Sequence, residues 1–356
     1  RPGGPPRPPP HAHLLADPTQ EARQPIYLVN KNNTLHVAIN VNVAFSTEKG
    51  MSASAATKDR LPLLAVVPPL PPESLGDSYF KSKLGLRYAY VVGAMANGIT
   101  SVEMVEAAAR AGLVGFFGAA GLDAVKIETA IGQLNKRLGN LPYGFNLIHS
   151  PGDLDLEFAT VRLYLDNGID LISASAFMDL TPSLVYYRVK GIHRDAHGRV
   201  TCPNRVIGKI SREEVARRFF SPPPSKIVSG LQEKGLISPE EAALSAHVPM
   251  ADMLTAEADS GGHTDNRPAL SLFPTIVALR NQIVEKHGYG MPLPVGLGGG
   301  IATPEAVSAA FSMGAAYVLT GSIHQACVES GTSELVRRLL AQAGQADVAM
   351  APAADM

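Results

Sequence analysis

The stretch that decides the fold reads Pro294-Val295-Gly296-Leu297-Gly298-Gly299-Gly300-Ile301, an apolar run that ends in three consecutive glycines. A second apolar run, Tyr317-Val318-Leu319-Thr320-Gly321-Ser322, follows it and also ends in glycine. Two successive strands of this kind are typical of the phosphate site above strands seven and eight of a (β/α)8 barrel. Glycine lets backbone N–H groups approach a phosphate, and a helix N-terminus adds further donors. We therefore expect a cofactor phosphate to be bound by Gly299, Gly300, Gly321 and Ser322.

Eight strand-like segments alternate with helix-like ones, which is the number that such a barrel needs. In chain order they are Tyr90–Met95, Val114–Phe117, Tyr143–Ile148, Leu171–Ala174, Val206–Ile210, Met253–Glu257, Leu293–Leu297 and Tyr317–Thr320. The competing Rossmann fold carries its G-x-G-x-x-G motif in a first βαβ unit. The glycines here lie late in the chain, and the third glycine of that motif is absent because Ile301 stands at its position. The sequence therefore predicts an α/β fold, a (β/α)8 TIM barrel over residues 86–356.

Capping residues predict where several helices begin. Thr100 with Glu103 and Ser211 with Glu214 have the spacing of capping boxes. Three further pairs place a cap before a proline in the first helical position, namely Thr181-Pro182, Ser238-Pro239 and Thr303-Pro304.

The regions outside the barrel are predicted from composition. Residues 1–25 form a tail that is expected to be disordered, because its proline-rich start cannot bury enough apolar surface to offset the entropy of ordering. Residues 26–85 are predicted to contain a small β hairpin and a proline-rich connector. A helical insertion at 219–249, between the fifth and sixth strands, is expected to lie over the mouth of the barrel as a lid.

Composition excludes several classes of protein. The 356 residues have a net charge of −1 and no basic cluster, which disfavours nucleic acid as a partner. No apolar stretch reaches the roughly twenty residues that span a bilayer, and the start lacks a signal peptide pattern. Cys202 and Cys327 lie far apart, and no metal site is predicted from His149, His193, His197 and His324, which we expect in loops or at the surface. We therefore expect a soluble, cytoplasmic protein.

A histidine motif follows the sixth predicted strand. The chain reads Glu257-Ala258-Asp259-Ser260-Gly261-Gly262-His263-Thr264-Asp265, so a buried strand breaks into two glycines and an ionisable ring. Glycines at this point let the backbone approach a flat ligand, and the imidazole is held beside it. Together with the two glycine turns, this motif predicts a phosphorylated cofactor with a histidine near its reactive part.

These motifs, with Gly93-Ala94-Met95-Ala96-Asn97-Gly98-Ile99 on the first strand, resemble the superfamily of nitronate monooxygenases and flavin-dependent enoyl reductases. Within it, the chain resembles the PfaD family, the stand-alone enoyl reductase subunits of bacterial polyunsaturated fatty acid synthases, from about Ile26 to its last residue. The segments that carry this likeness are Ala94–Gly98, Phe117–Gly121, Asp259–Pro268 and Met350–Met356. Family members continue beyond the position of Met356, so we expect this chain to lack a C-terminal helical region.

The resemblance implies an FMN-dependent enoyl reductase that uses NADPH or NADH to reduce enoyl thioesters on an acyl carrier protein, in polyunsaturated fatty acid or polyketide synthesis. Two alternatives remain: a flavin oxidase of nitronates, and a flavin-binding subunit of a megasynthase without catalytic activity. Acyl chain length, the choice between NADH and NADPH, and the oligomeric state stay open, with a homodimer as the candidate assembly. The resemblance assigns flavin contacts to Ala94, Met95, Asn97, Glu257, Gly261 and Gly262.

Asn146 and Lys209 are candidate flavin contacts for reasons of their own. A buried amide needs hydrogen-bond partners, which flavin ring atoms or neighbouring backbone would supply to Asn146. Lys209 either places a cation near the N1–C2=O edge of the flavin or faces outward.

His263 is the predicted catalytic residue. Reduction of an α,β-unsaturated thioester needs a proton at the α-carbon, and an imidazole with a pKa near neutrality delivers one. The alternative is a histidine that only shapes the flavin pocket. Asp259, Asp265 and Glu257 are close enough in sequence to orient the ring, although caps or solvated loop charges are the alternative role for each.

Overall fold

Residues 23–43, 61–260, 265–347 and 349 are described by the computed structural model. The chain divides into two units, Arg1–Leu75 and Gly76–Met356. The predicted tail falls almost entirely on residues 1–22, which lie outside the described residues. The same is true of the predicted catalytic His263 and of its neighbours Gly261 and Gly262.

The first unit contains a three-stranded antiparallel sheet with the order β2-β1-β3. Its strands are β1 (Ile26–Lys31), β2 (Thr34–Ala38) and β3 (Leu63–Val67). The predicted hairpin is β1–β2, and its turn residues Asn32 and Asn33 have φ of 53° and 59°. A two-residue type I′ turn needs positive φ at both positions, and asparagine tolerates it. Strand β3 was not predicted from the sequence.

The strands of the second unit are β4 (Tyr90–Val92), β5 (Val114–Phe117), β6 (Tyr143–Ile148), β7 (Leu171–Ser175), β8 (His193–Arg194), β9 (Val200–Thr201), β10 (Arg205–Ile210), β11 (Met253–Glu257), β12 (Val295–Gly298) and β13 (Val318–Thr320). Strands β8 and β9 pair with each other, and the other eight are parallel and close into a barrel in chain order. The TIM barrel and its eight predicted strands are thereby confirmed. The largest differences are at β4, which ends at Val92 rather than Met95, and at β12, which begins at Val295 rather than Leu293.

Helices cover the outside of the barrel. They are α1 (Ser78–Leu84), α2 (Val102–Arg110), α3 (Ala124–Leu138), α4 (Leu154–Asp166), α5 (Pro182–Val189), α6 (Glu213–Phe220), α7 (Ser225–Glu233), α8 (Pro239–Ser245), α9 (Ala269–His287), α10 (Pro304–Ser312) and α11 (Glu334–Gln342). Short 3-10 helices lie at Pro72–Ser74, Ser322–Ala326 and Gln345–Asp347.

An aromatic stack lies inside the barrel near its amino-terminal end. The rings of Phe80 on α1 and Tyr317 are stacked with centroids 4.2 Å apart, and both side chains are fully buried. The Tyr317 ring occupies the space next to Gly296, where a Cβ atom would lie 2.3 Å from it. The Tyr317 hydroxyl is hydrogen-bonded to Thr255 Oγ1 at 2.9 Å. The second unit therefore begins at Gly76, because α1 belongs to the barrel core, and the predicted boundary at residue 86 lies too late in the chain.

Two of the predicted helix caps are wrong. Helix α2 is capped by Ser101, whose Oγ accepts from Met104 N, while Thr100 bonds to the end of the first barrel strand instead. Helix α6 follows Arg212 without a side-chain cap, because the Ser211 hydroxyl donates to Asp265. The other three caps are confirmed, and they are Thr181, Ser238 and Thr303.

The predicted insertion is present as helices α7 and α8, but its predicted place as a lid over the mouth is wrong. Helix α6 follows β10 directly, so the chain has already returned to the amino ends of the strands when the insertion begins. There, just after α5, Lys190 Nζ donates to Leu236 O at 3.1 Å, and Gly191 N donates to Glu241 Oε1 at 2.6 Å. The insertion thus packs at the end of the barrel opposite to the one where barrel enzymes bind their ligands.

Candidate active site

A cavity of about 420 Å³ lies at the carboxyl ends of the barrel strands. It brings together nine of the predicted cofactor contacts: Ala94, Met95, Asn146, Lys209, Glu257, Gly299, Gly300, Gly321 and Ser322. These residues come from six different strands or the loops after them, which is how barrel enzymes assemble their sites.

Asn97 does not line this cavity. Its backbone N–H donates to Ala120 O at 2.7 Å, and its φ is 57°. The residue therefore holds the loop after β4 against the loop after β5. The flavin contact of Asn97 stays a prediction, and it is not favoured because the residue lies outside the cavity lining.

The end of the first barrel strand is fixed by Thr100. Its Oγ1 donates to Gly93 O at 2.8 Å and accepts from Met95 N at 2.9 Å. Because Thr100 is fully buried, these two bonds satisfy its hydroxyl and fix the backbone turn that presents Ala94 and Met95 to the cavity.

The glycine turn after β12 has a backbone that only glycine adopts readily. Gly299 and Gly300 have φ of 91° and 67°, in the region that L side chains avoid. A Cβ on Gly299 would lie 2.2 Å from Ala258 O, whereas a Cβ on Gly300 would lie no closer than 3.4 Å to Asp259 O. Gly299 is thus required by packing against the neighbouring strand. Gly300 is required by its φ alone and leaves open space towards the cavity.

The second glycine turn opens a short helix. Gly321 precedes the 3-10 helix Ser322–Ala326, and a Cβ on Gly321 would meet nothing closer than Met95 Cγ at 3.9 Å. The first N–H groups of a helix lack partners within it and attract anions. The two turns together form a cradle suited to one phosphate group.

A buried ion pair crosses the floor of the cavity. Lys209 Nζ lies 2.7 Å from Glu257 Oε1, and the two side chains are 9% and 19% exposed. Lys209 therefore faces the cavity and not the outside, and its contact with a flavin stays a prediction. The pair places one positive and one negative group beside any ligand, and both are shielded from most of the solvent.

Asn146 is buried, and its amide is oriented by a neighbouring strand. Ser175 Oγ donates to Asn146 Oδ1 at 3.0 Å, while Tyr164 donates to the backbone oxygen of Asn146 at 2.7 Å. Among the described residues, Asn146 Nδ2 has no hydrogen-bond partner, and Asn146 lines the cavity. A ligand with an acceptor atom would satisfy this amide.

The loop that carries the histidine motif is anchored at both sides of residues 261–264. Before them, Asp259 N donates to Arg267 O at 2.9 Å. After them, Asp265 accepts from Arg212 Nε and Nη2 at 2.9 and 2.7 Å, and also from the hydroxyl of Ser211. The hydrogen bonds from Arg212 and then Ser211 hold the pKa of Asp265 well below its usual range. Asp265 is therefore an ion-paired anchor, which the sequence did not predict.

Two of the histidines expected in loops or at the surface are half-buried, and of these His149 lies in the loop after β6. His324 Nε2 lies 2.7 Å from Thr320 Oγ1 and 3.1 Å from the Tyr90 hydroxyl, and burial lowers its pKa. His149 Nδ1 lies 2.8 Å from Glu157 Oε2, a fully buried carboxylate. No spacing in the sequence marks either network, because the partners come from different strands and helices. His193 and His197 are exposed, as predicted.

Two kinds of site or segment do not occur in the described part of the chain. There, no group of three or more histidine, cysteine, aspartate or glutamate residues is placed to hold a metal ion. Nor does any described helix have the length and apolarity needed to cross a membrane.

Comparison with known families gives a match over most of the second unit. The family described as nitronate monooxygenase matches residues 79–355. The chain is 44% identical to a polyunsaturated fatty acid synthase subunit of Thraustochytrium sp. over 293 residues, which are 82% of this chain and 20% of that protein. It is 46% identical to polyketide biosynthesis protein PksE of Bacillus subtilis over 285 residues, which are 80% of this chain and 37% of that protein. The chain therefore spans well under half the length of these curated relatives.

One solved structure is similar both in sequence and in fold. It is the enoyl reductase domain of MlnA, from the macrolactin biosynthesis cluster of Bacillus amyloliquefaciens. The two chains are 40% identical with a TM-score of 0.74, over 77% of this chain and 62% of that one.

Proposed function

This chain belongs to the nitronate monooxygenase family, and from that premise we propose that it is an FMN-dependent enoyl reductase of a polyunsaturated fatty acid or polyketide synthase. Its substrate would be an enoyl thioester on an acyl carrier protein, and NADPH or NADH would supply the electrons. The observation that carries the proposal is the layout of the cavity. A cradle for one phosphate lies at the ends of β12 and β13, and a lysine and a free amide nitrogen lie on its floor.

The residues fit FMN better than a dinucleotide. Gly300 and Gly321 leave room for a phosphate where a side chain would intrude, and the start of the 3-10 helix supplies N–H donors. The Lys209 ammonium would stabilise negative charge on an electron-rich ring. Asn146 Nδ2 would donate to a ring acceptor, which would satisfy its hydrogen bonding.

The bound flavin would supply the hydride for the β-carbon of the substrate. We assign the proton for the α-carbon to His263, two residues before the anchored Asp265. A general acid of this kind contributes about 10²–10⁴-fold to the rate. Support for a reductase rather than a nitronate oxidase comes from the 40% identity with an enoyl reductase domain.

The visible spectrum of the purified protein tests the function. We expect a flavin absorption that NADPH bleaches under nitrogen and that a crotonyl thioester then restores, and heat release should yield FMN. Reduction of the oxidised flavin by a nitronate, followed by reoxidation by oxygen but not by the thioester, would show the oxidase. A flavin that the nitronate does not reduce and the thioester does not reoxidise would show a subunit without activity. Release of FAD would contradict the assignment of FMN as the cofactor.

His263→Ala tests the proton donor. The variant should retain FMN and its reduction by NADPH, while reduction of the thioester slows by about 10²–10⁴-fold. His197→Ala, at an exposed position, serves as the control. A loss below about tenfold would mean that water or another group supplies the proton, and loss of FMN would mean that His263 shapes the pocket.

A further inference from the structure

A second, smaller cavity lies beside the active-site cavity, at the wall of the barrel. This side cavity has a volume of about 70 Å³ and lies between β5 and β6 and the helices α3 and α4. It shares Ala120, Asn146 and Ile148 with the larger cavity, so the two spaces are adjacent. Nothing in the proposed binding of the flavin makes use of it.

The chemistry of the side cavity is that of an apolar site. Its walls include the side chains of Leu122, Ile127, Leu147 and Leu156. Its fully buried polar side chains already have partners within the protein. Tyr164 donates to Asn146 O at 2.7 Å, and Glu157 is hydrogen-bonded to His149 and Thr181. These two groups offer no unsatisfied donor or acceptor. The third buried polar side chain of the lining is Asn146, whose amide nitrogen is assigned to the flavin in the proposed function, so an apolar ligand fits better than one with further amides or hydroxyls.

The side cavity ends at apolar side chains that face the solvent. Leu156, which lines it, is 50% exposed, and Leu154 on the same helical turn is 53% exposed. Val125, at the start of α3, is 72% exposed. The side cavity therefore lies between the active-site cavity, with which it shares three lining residues, and the exposed side chain of Leu156.

We propose that the side cavity binds the acyl chain of the substrate beyond its β-carbon, an inference that rests on the proposed function. The acyl chain is the apolar part of an enoyl thioester, whereas the pantetheine arm carries amides and a hydroxyl that need hydrogen-bond partners. Long chains would extend past Leu156 over the exposed leucines. The side cavity thus determines chain-length preference, and Leu122 and Leu156 are its specificity-determining residues.

Leu122→Trp tests this by filling the side cavity. Wild-type protein should reduce 2-decenoyl pantetheine with a kcat/KM at least tenfold above that for crotonyl pantetheine. The variant should lose about tenfold or more on the decenoyl substrate, since a single methylene in an apolar pocket is worth about 10–200-fold. Its activity on the crotonyl substrate should stay within about threefold, because a four-carbon chain hardly enters the side cavity. Leu270→Trp, at a 78% exposed position on the first turn of α9, is the matched control.

Binding provides a second readout that does not need turnover. By calorimetry, wild-type protein should bind decanoyl pantetheine at least tenfold more tightly than butyryl pantetheine, and Leu122→Trp should abolish that difference. Equal losses for short and long chains, or no loss for either, would overturn the inference while the crotonyl reaction upholds the proposed function. Failure of the wild-type protein to reduce either thioester would instead overturn the proposed function, and the inference with it.

Discussion

At the scale of single residues, the candidate active site depends on glycines whose missing Cβ atom lets a ligand approach the backbone closely. Gly300 is the clearest case, because its φ of 67° excludes most side chains although its surroundings leave space. Asn146 and Lys209 are the polar counterparts, since their neighbours Ser175 and Glu257 hold them facing the same cavity.

Gly300→Val should abolish retention of FMN. The side chain would occupy the phosphate cradle, and the left-handed backbone would cost about 1–2 kcal/mol. Flavin content after gel filtration measures the effect. Gly314→Val is the matched control, because Gly314 has φ of 91° and open surroundings but lies outside the cradle. Equal loss of flavin in both variants would show that lower stability, and not a blocked cradle, is the cause.

The ion pair of Asp265 gives a pH-dependent prediction. Because Arg212 lowers the pKa of Asp265 in the folded protein, the pair stabilises the fold above the unfolded pKa of about 3.9. This contribution is lost as the pH falls below that value. Arg212→Leu should therefore lower Tm at pH 7 and change it less at about pH 3. The effect should not exceed about 1 kcal/mol, since both side chains are partly exposed.

Arg217→Leu, at an exposed position on α6, is the control for this measurement. A Tm difference between wild-type protein and Arg212→Leu that is the same at both pH values would contradict the role of the pair.

Single residues also show where reasoning from sequence reached its limit. Chain spacing identified the glycine turns and Lys209 because each lies at the end of a strand. It did not separate Thr100 from Ser101, since both hydroxyls stand where a helix cap is expected. Helix α2 is capped by Ser101 because the Thr100 hydroxyl is already hydrogen-bonded to Gly93 and Met95, in a turn that the capping-box pattern does not describe.

At the scale of elements, the insertion illustrates the same limit. Its two helices are visible in the sequence, but the end of the barrel on which they lie depends on whether a helix precedes them. Helix α6 does, and its eight residues carry the chain back to the amino ends of the strands. The sequence predicts a helix start at Ser211, but the predicted insertion begins at Phe219. The amphipathic pattern of buried Val215, Phe219 and Phe220 shows that these last two residues still belong to α6.

Glu241 in the insertion should matter for stability and not for catalysis. Burial opposes ionisation of its carboxylate, but hydrogen bonds from Gly191 and Ser238 outweigh this and lower its pKa. Glu241→Ala removes these bonds and should cost about 1–3 kcal/mol of unfolding free energy. Its turnover of carrier-bound substrate, per folded molecule, should equal that of wild-type protein. Glu240→Ala is the exposed control, and a selective loss of turnover would place the insertion near the mouth after all.

At the scale of the whole molecule, the order of the barrel strands followed from the alternation of apolar and helical segments. The beginning of the unit was not predicted, because α1 has only seven residues and its main contribution to the core is the ring of Phe80. Phe80 stacks on Tyr317, which lies far from it in the sequence, so no local pattern predicts this contact.

Removal of α1 should therefore unfold the barrel. A chain of residues 76–356 should melt cooperatively, whereas residues 86–356 should melt at a markedly lower temperature or aggregate. The loss of Phe80 alone should cost about 3–5 kcal/mol, so Phe80→Ala in the longer chain should reproduce much of the effect. Circular dichroism melting curves measure this, and equal melting of both chains would contradict it.

Closure of the barrel by β4 and β13 has a consequence for biosynthesis. The Thr320 hydroxyl donates to that of Tyr90, a residue 230 positions earlier. Ribosomes add about 5–20 residues per second, so the first barrel strand waits about 10–50 s for its last neighbour. During that time β4 has an open edge, and the glycine turns do not yet exist. The proposed phosphate site can consequently form only after the second glycine turn has been synthesised, and until then the nascent half-barrel has an unpaired strand edge, which is prone to pair with other chains.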